Sequence, residues 1–118
     1  MVITIPTTTK KYFRLHLELI RSIPPLDGLR YKELDVLAEL LYWNYMFKDV
    51  SKDERWKLIF NYDTKLKMRE SIFMEADQFN NCLTSLRKKG IIKGKSVISD
   101  FGVDPDNPFI KIDFKISW

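Results

Sequence analysis

The segment from Asp77 to Ile92, DQFNNCLTSLRKKGII, constrains the fold of this chain more than any other stretch. Asp77 can cap the start of a helix, and Gly90, directly after a basic triplet, can take the left-handed conformation that commonly ends one. The sequence therefore predicts a helix from Asp77 to Lys89 with one face packed into a core. The apolar residues of that face recur at i, i+3, i+4 and i+7, the spacing of one side of a helix: Phe79, Cys82, Leu83 and Leu86.

The opposite face of the predicted helix is polar but carries little charge. Its residues are mostly short amides and hydroxyls: Gln78, Asn80, Asn81, Thr84, Ser85 and Lys88. Glu and Lys are better helix formers than Asn, Ser and Thr, so an ordinary solvated face would carry more of them. Asn and Gln can instead pair bidentately with adenine in a DNA major groove. Two interpretations follow: a solvated amphipathic helix, or a helix that lies in a DNA groove.

The positive charge of the chain is concentrated around this helix. The net charge is +4 over 118 residues. Between Thr64 and Lys95, eight Lys and Arg residues stand against three acidic residues, a local charge of +5, so the remaining residues together carry −1. A basic segment of this kind is typical of a surface that binds nucleic acid. A solvated lysine-rich face is the alternative, and charge alone does not distinguish the two.

Three further helices are predicted before this segment. In LRYKELDVLAELLYW the leucines at helical spacing indicate a central core helix: Leu34, Leu37 and Leu41. Ser51 and Glu54 have the spacing of a capping box, which predicts a short helix in SKDERWKLIF. The stretch TKLKMRESIFM, which starts at Thr64, predicts another short helix with these apolar residues: Leu66, Met68, Ile72 and Phe73.

Alternating apolar and polar residues predict strands near both ends of the chain. The stretch YFRLHLELI favours a half-buried strand with His16 on its polar face, although a short helix is the alternative. Its alternating apolar residues are Phe13, Leu15, Leu17 and Leu19. The stretch FIKIDFKI alternates most clearly of all, through Ile110, Ile112, Phe114 and Ile116. Between these two stretches, Ile91 to Ile98 predicts a strand, a turn and a second strand.

The order of two short helices, a bounded basic helix and a pair of strands is that of a winged helix-turn-helix. The run from Thr64 to Ile98, with QFNNCLTSLRKKGIIKGK at its centre, resembles the helix-turn-helix and wing of winged-helix DNA-binding proteins. With its small size and Asn-rich helix, the chain is similar to small winged-helix proteins of tailed bacteriophages. The resemblance implies one α+β domain over residues 1–118. Its small antiparallel sheet would contain the N-terminal strand, the wing and the C-terminal strand.

The resemblance also implies roles for particular residues. Four side chains would match base-facing positions: Gln78, Asn80, Asn81 and Thr84. Ser85 and Lys88 would match positions nearer the phosphates, and Lys93 and Lys95 would belong to the wing. The expected function is regulatory binding of duplex DNA, with a homodimer plausible because such regulators usually bind twofold sites. The alternative is a structural or protein-interaction component of a phage particle or replication complex, within a larger protein assembly.

Composition argues against several other classes of function. A single cysteine and a single histidine exclude an internal disulfide and leave too few ligands for a Cys/His zinc site. Cys82 falls on the apolar helix face, and the four glycines form no phosphate-binding loop, so we expect no enzyme activity, cofactor or metal. No apolar run approaches the length of about eighteen residues that a membrane span needs. We expect no membrane partner and a cytoplasmic location, which for a phage-encoded chain means the host cytoplasm or the virion.

Overall fold

The computed structural model describes all residues from Met1 to Trp118 and has an α+β architecture. Five helices precede one small antiparallel sheet, and a short 3-10 turn at Leu26–Gly28 joins the first two helices. No helix combines the length and the apolarity that a membrane crossing requires. In chain order the elements are α1 (Thr9–Ile20), α2 (Tyr31–Met46), α3 (Lys52–Ile59), α4 (Tyr62–Ser71), α5 (Ala76–Lys88), β1 (Ile92–Lys93) and β2 (Ser96–Val97).

Helix α2 is the centre of the core, as its leucine spacing predicts. It packs against α1, α3, α4 and α5. Because neighbours lie on several sides of α2, its buried residues cover more than one stripe of the helix. Five of its apolar side chains are almost completely buried: Leu34, Val36, Leu37, Leu40 and Leu41.

The stretch YFRLHLELI lies in helix α1, so the prediction of an N-terminal strand is wrong. Thr8 caps this helix by accepting a hydrogen bond from the Lys11 amide. Phe13 and Leu17 are buried, and α1 packs on α2. Their spacing of four residues fits a helical turn as well as a two-residue alternation, and the only sheet consists of β1 and β2. Packing against α2 therefore decides between the two conformations.

The short helices α3 and α4 begin close to their predicted positions. Ser51 occupies the N-cap position of α3, but its side chain makes no capping hydrogen bond, so the predicted capping box with Glu54 is wrong. Asn61 caps α4 by accepting a hydrogen bond of 2.8 Å from the Thr64 amide. Helix α4 therefore starts two residues earlier than the predicted Thr64, because Asn61 supplies a stronger cap than the sequence pattern alone suggested.

Helix α5 ends as predicted but begins differently. Its N-cap is Glu75, so the prediction that Asp77 caps the helix is wrong; Asp77 lies in the first turn. At the other end, Gly90 has φ of +78°, the left-handed conformation. The Ile91 amide donates to the Leu86 carbonyl over 2.9 Å, which completes a Schellman motif.

Strands β1 and β2 form a hairpin directly after α5, as predicted. Ile92 pairs with Val97, and Lys93 pairs with Ser96. Gly94, the first residue of the two-residue turn, has φ of +62°. A tight hairpin turn of type II′ needs a positive φ at that position, which glycine adopts without steric cost.

The C-terminal segment, Ile110–Trp118, does not join this sheet, so the prediction of a C-terminal strand within it is wrong. The segment belongs to no helix or strand and makes no backbone hydrogen bond. Its apolar side chains are exposed. The physical reason is the length of the hairpin: strands of two residues offer too short an edge for a segment of nine residues.

The loop from Ile98 to Pro108 is held to α1 by a short chain of hydrogen bonds. Nε2 of His16 donates to the Phe101 carbonyl over 2.8 Å, and the Tyr12 hydroxyl donates to Nδ1 of His16 over 3.4 Å. The same hydroxyl accepts from the Asp104 amide at 3.0 Å. His16 is buried, so the prediction that it lies on a polar, solvent-facing side is wrong.

Candidate nucleic-acid interface

The inner face of α5 is buried, as its periodicity predicts. Helix α5 packs on α2 and on β1, which fixes the direction in which its other face points. Burial raises the pKa of the Cys82 thiol, which disfavours the reactive thiolate and is consistent with a core role. The buried residues of α5 are the four that the spacing identified: Phe79, Cys82, Leu83 and Leu86.

The outer face of α5 presents polar side chains that have no partner within the chain. Asn80, Asn81 and Thr84 are exposed, and Gln78 is half-buried. None of the four side chains makes a hydrogen bond to another residue of the protein. Asn80, Thr84 and Lys88 follow one another at i, i+4 and i+8, so they form a row along the helix. We call the four uncharged residues, Gln78, Asn80, Asn81 and Thr84, the amide face.

Ser85 differs from the other predicted contact residues. It is half-buried, and its hydroxyl donates a hydrogen bond to Oε2 of Glu33, a fully buried residue of α2. Lys89, one helical turn after Ser85, binds the same carboxylate: its Nζ lies 2.8 Å from Glu33 Oε1. Ser85 and Lys89 therefore bind α5 to α2, and the charge of Lys89 is matched inside the protein.

The carboxylate of Glu33 stays ionised in this site. Burial alone would raise its pKa, but hydrogen bonds from Lys89, Ser85 and Arg30 outweigh that effect and lower the pKa of Glu33 to about 2. The Arg30 amide contributes one of these hydrogen bonds over 2.9 Å, so the Glu33 side chain also satisfies the backbone amide at the start of α2. One carboxylate thus stabilises both the beginning of α2 and the end of α5.

Charge is distributed unevenly along the exposed side of α5. Glu75 and Asp77 are exposed at its beginning. Negative charge there interacts favourably with the helix dipole but repels phosphate. Arg87 and Lys88 are exposed at its end and belong to no ion pair of the structure. A polyanion that approaches this surface is therefore attracted to the last turn of α5 rather than to the first.

The hairpin places its two lysines in different surroundings. The side chain of Lys93 passes Gly90 at the end of α5, with Cε 3.9 Å from the point where a Cβ on Gly90 would lie. Both lysines are exposed. Lys93 therefore extends the positive surface of Arg87 and Lys88; we call these three residues, Arg87, Lys88 and Lys93, the basic end.

Lys95 instead lies across from helix α3. It lines a shallow groove of about 330 Å³, together with Ser96 on the same hairpin. The sequence did not identify this groove, because only the folded chain brings β2 next to α3. Its wall on α3 consists of Lys52, Asp53, Trp56 and Lys57.

The turn between α4 and α5 holds an exposed aromatic residue that the sequence placed inside α4. Phe73 lies beyond the last residue of α4, is 96% exposed and has φ of +54°. The Met74 amide donates to the Arg69 carbonyl over 2.9 Å, so Phe73 occupies the left-handed position where glycine normally ends a helix. A large residue there costs about 1–2 kcal/mol. The sequence does not indicate this turn, because the glycine that usually marks the end of a helix is replaced by Phe73.

Comparison of the chain with protein-family models, with curated proteins and with solved structures found no match.

Proposed function

We propose that this chain is a winged-helix module that binds duplex DNA. In this assignment α4 and α5 form the helix-turn-helix, α5 is the recognition helix, and the hairpin of β1 and β2 is the wing. Helix α2 is then the helix that precedes the motif and supports it. The order of the elements, the packing of α5 on α2 and the position of the hairpin directly after α5 support the assignment.

The observation that carries the proposal is the amide face of α5. Exposed side-chain amides on a rigid helix are unusual, because longer charged residues form helices better and gain more from water. These amides have no partner within the protein, and the buried opposite face holds them in one direction. Asn and Gln side chains in this arrangement can both donate and accept hydrogen bonds at the edge of adenine, which would explain why amides occupy this face.

The basic end supplies the phosphate contacts in this proposal. Arg87 and Lys88 follow the amide face along α5, and the Lys93 side chain passes Gly90 at the end of the same helix, so base contacts and phosphate contacts adjoin. Lys95 and Lys52 line the groove beside α3 and supply further phosphate contacts, although Asp53 shares this groove and Lys57 there is paired with Glu54. Phosphate contacts position the protein on the duplex, and the amide face then reads the sequence.

The direct test is a titration of the full chain with a mixed pool of duplex DNA at about 50 mM and 200 mM salt. Binding through phosphates makes affinity fall steeply with salt, with a log–log slope of about −0.9 for each neutralised phosphate. We expect a slope between about −3 and −5, because the basic end and the groove beside α3 offer about three to five unpaired cations and each neutralised phosphate contributes about −0.9. A slope near zero, or no binding at about 50 mM salt, would reject the DNA-binding function.

A second candidate function is a protein-interaction or structural role, and Phe73 is the observation that favours it. An almost fully exposed phenylalanine beside the acidic residues Glu75 and Asp77 is a better contact for protein than for phosphate. The same titration separates the two functions. If the parent chain does not bind DNA, the exposed face of α5 and the turn before it are assigned to a protein partner.

A further inference from the structure

The C-terminal segment, Ile110–Trp118, has the sequence of a strand but no strand to pair with. Along it, apolar and polar residues alternate without a break over nine residues. None of the nine makes a backbone hydrogen bond, and Phe114 is 86% exposed. The apolar side is Ile110, Ile112, Phe114, Ile116 and Trp118, and the polar side is Lys111, Asp113, Lys115 and Ser117.

An exposed segment of this kind is a template for pairing with another chain. Its backbone amides and carbonyls are free, and one side offers a continuous apolar row. The hairpin of the same chain is too short to pair with the backbone of the whole segment, since β1 and β2 have two residues each. A partner strand of similar length and pattern is therefore needed, and a second copy of the chain provides one.

We infer that the C-terminal segment pairs antiparallel with the same segment of a second copy, with Phe114 at the twofold centre. In this register Asp113 of each copy faces Lys115 of the other, so the polar side contains two pairs of opposite charge. Phe114 faces its own copy. On the apolar side Ile112 faces Ile116, and Ile110 faces Trp118, so every apolar residue meets another across the strands.

The charges select this register against its neighbours. A centre at Asp113 would place that carboxylate opposite itself and Lys111 opposite Lys115, which are repulsive pairs. A parallel, in-register pairing would bring every charged residue next to its own copy. A centre at Ile112 would pair Lys111 with Asp113 favourably, but it would bring Pro108, which has no amide hydrogen, into the strand. Of these registers, the one centred on Phe114 has neither a proline nor a like-charge contact.

The apolar side chains meet in pairs across the two strands, and such cross-strand pairs are what stabilise a sheet. Because two strands alone are only marginally stable, the association should depend on concentration rather than be obligatory.

Oxidative cross-linking tests the register directly, with the full chain and without DNA. Phe114→Cys places the new thiol opposite its own copy, so we expect a disulfide-linked dimer under mild oxidation. Ile112→Cys and Ile116→Cys should each cross-link poorly alone and well when the two variants are mixed. The parent chain is the control, because its only cysteine, Cys82, is buried. Preferential cross-linking of Asp113→Cys, or of Ile112→Cys alone, would overturn the register centred on Phe114.

A charge-exchange cycle tests whether the pairing exists in solution. Asp113→Lys and Lys115→Asp should each raise the dimer dissociation constant by about tenfold in sedimentation velocity at low salt, because each creates two repulsive pairs. The double variant should return it to within about threefold of the parent. All of these positions lie outside the folded core, so circular dichroism should be unchanged. A parent that stays monomeric to about 100 μM, or a double variant as weak as the singles, would refute the inference. Both measurements are independent of the proposed DNA binding, and either proposal can fail alone.

Discussion

Lys89 Nζ at the end of α5 lies 2.8 Å from Oε1 of Glu33, and the Glu33 side chain is completely buried in α2. The same ammonium group donates to the Gly28 carbonyl over 3.0 Å, at the turn that precedes α2. The end of the proposed recognition helix is therefore attached to the helix behind it by a charged group rather than by apolar packing alone. The lysine that sequence inspection groups with Arg87 and Lys88 has a structural role.

We predict that Lys89→Met destabilises the fold. The change removes the charged donor but leaves the Glu33 carboxylate buried with only Ser85 and Arg30 as donors. Loss of a hydrogen bond to a charged group should lower the free energy of unfolding by about 1–3 kcal/mol. Urea denaturation measures it, and Lys88→Met, at the exposed neighbouring position, is the matched control. Equal effects for the two variants would show that the contact between Lys89 and Glu33 contributes nothing.

The pKa of Glu33 predicts an acid-sensitive part of the stability. Its folded-state pKa of about 2 lies below the ordinary value of 4.5, so the carboxylate stabilises the fold above pH 4.5. That contribution is lost as the pH falls through 4.5 towards 2. The parent should therefore lose stability over this range more steeply than Glu33→Gln, which should be less stable at neutral pH. Parallel pH profiles for the two proteins would contradict the assignment.

The elements that the sequence predicted correctly are those whose signals are local. The apolar spacing of α5 and the glycine after it depend only on nearby residues, and both are found as expected. For α1 the sequence favoured a strand over the alternative of a short helix, because Phe13 and Leu17 fit both periodicities; packing on α2 stabilises the helix. The C-terminal segment has a strand pattern, but a strand also needs a partner, which a single sequence does not specify.

We predict that Leu83→Ala destabilises the fold by about 2–5 kcal/mol, the usual cost of truncating a buried leucine. Leu83 is 2% exposed and lies in the same core cluster as Leu37 and Leu41. Asn81→Ala, on the exposed face of the same helix, should change stability by less than about 0.5 kcal/mol and serves as the control. A loss under about 0.5 kcal/mol for Leu83→Ala in chemical denaturation would contradict the assignment of the buried face.

We predict that Phe73→Gly stabilises the isolated chain by about 1 kcal/mol, because glycine takes a φ of +54° without the steric cost that a larger residue has. Phe73→Ala is the control: it removes the same ring but keeps a Cβ, so it should bring little gain. Thermal and urea denaturation measure both. A stabilising effect of alanine equal to that of glycine would locate the cost in the exposed ring rather than in the backbone.

The candidate site was predictable in part, and the limits have a physical cause. The helical period alone fixes which residues share the face opposite the buried one. The structure exposes four of the predicted residues there: Asn80, Asn81, Thr84 and Lys88. Ser85 is at the edge of that face, where a small rotation of α5 about its axis decides whether the side chain meets solvent or α2. The groove between Lys95 and α3 depends on tertiary structure, so no spacing within the sequence could indicate it.

The final prediction separates base contacts from phosphate contacts in the proposed DNA complex. Asn80→Ala with Asn81→Ala should reduce discrimination between preferred and random duplexes by about 1–3 kcal/mol for each lost base contact, with little effect on the salt slope. Lys93→Ala with Lys95→Ala should instead weaken binding to all sequences alike and reduce the salt slope by about one unit per lost phosphate contact.

A matched control fixes the meaning of the lysine result. Lys11→Ala with Arg21→Ala removes the same charge from the two ends of α1, the helix that packs on α2. If the salt slope depends on contacts at the hairpin, this control should keep the slope of the parent, because net charge alone acts weakly beyond the Debye length of about 10 Å. An equal loss of slope in the control and in the hairpin variant would mean that overall charge, and not the hairpin, binds the phosphates. If neither the double asparagine variant nor the double lysine variant changes DNA binding, the exposed face of α5 would instead be assigned to binding a protein partner.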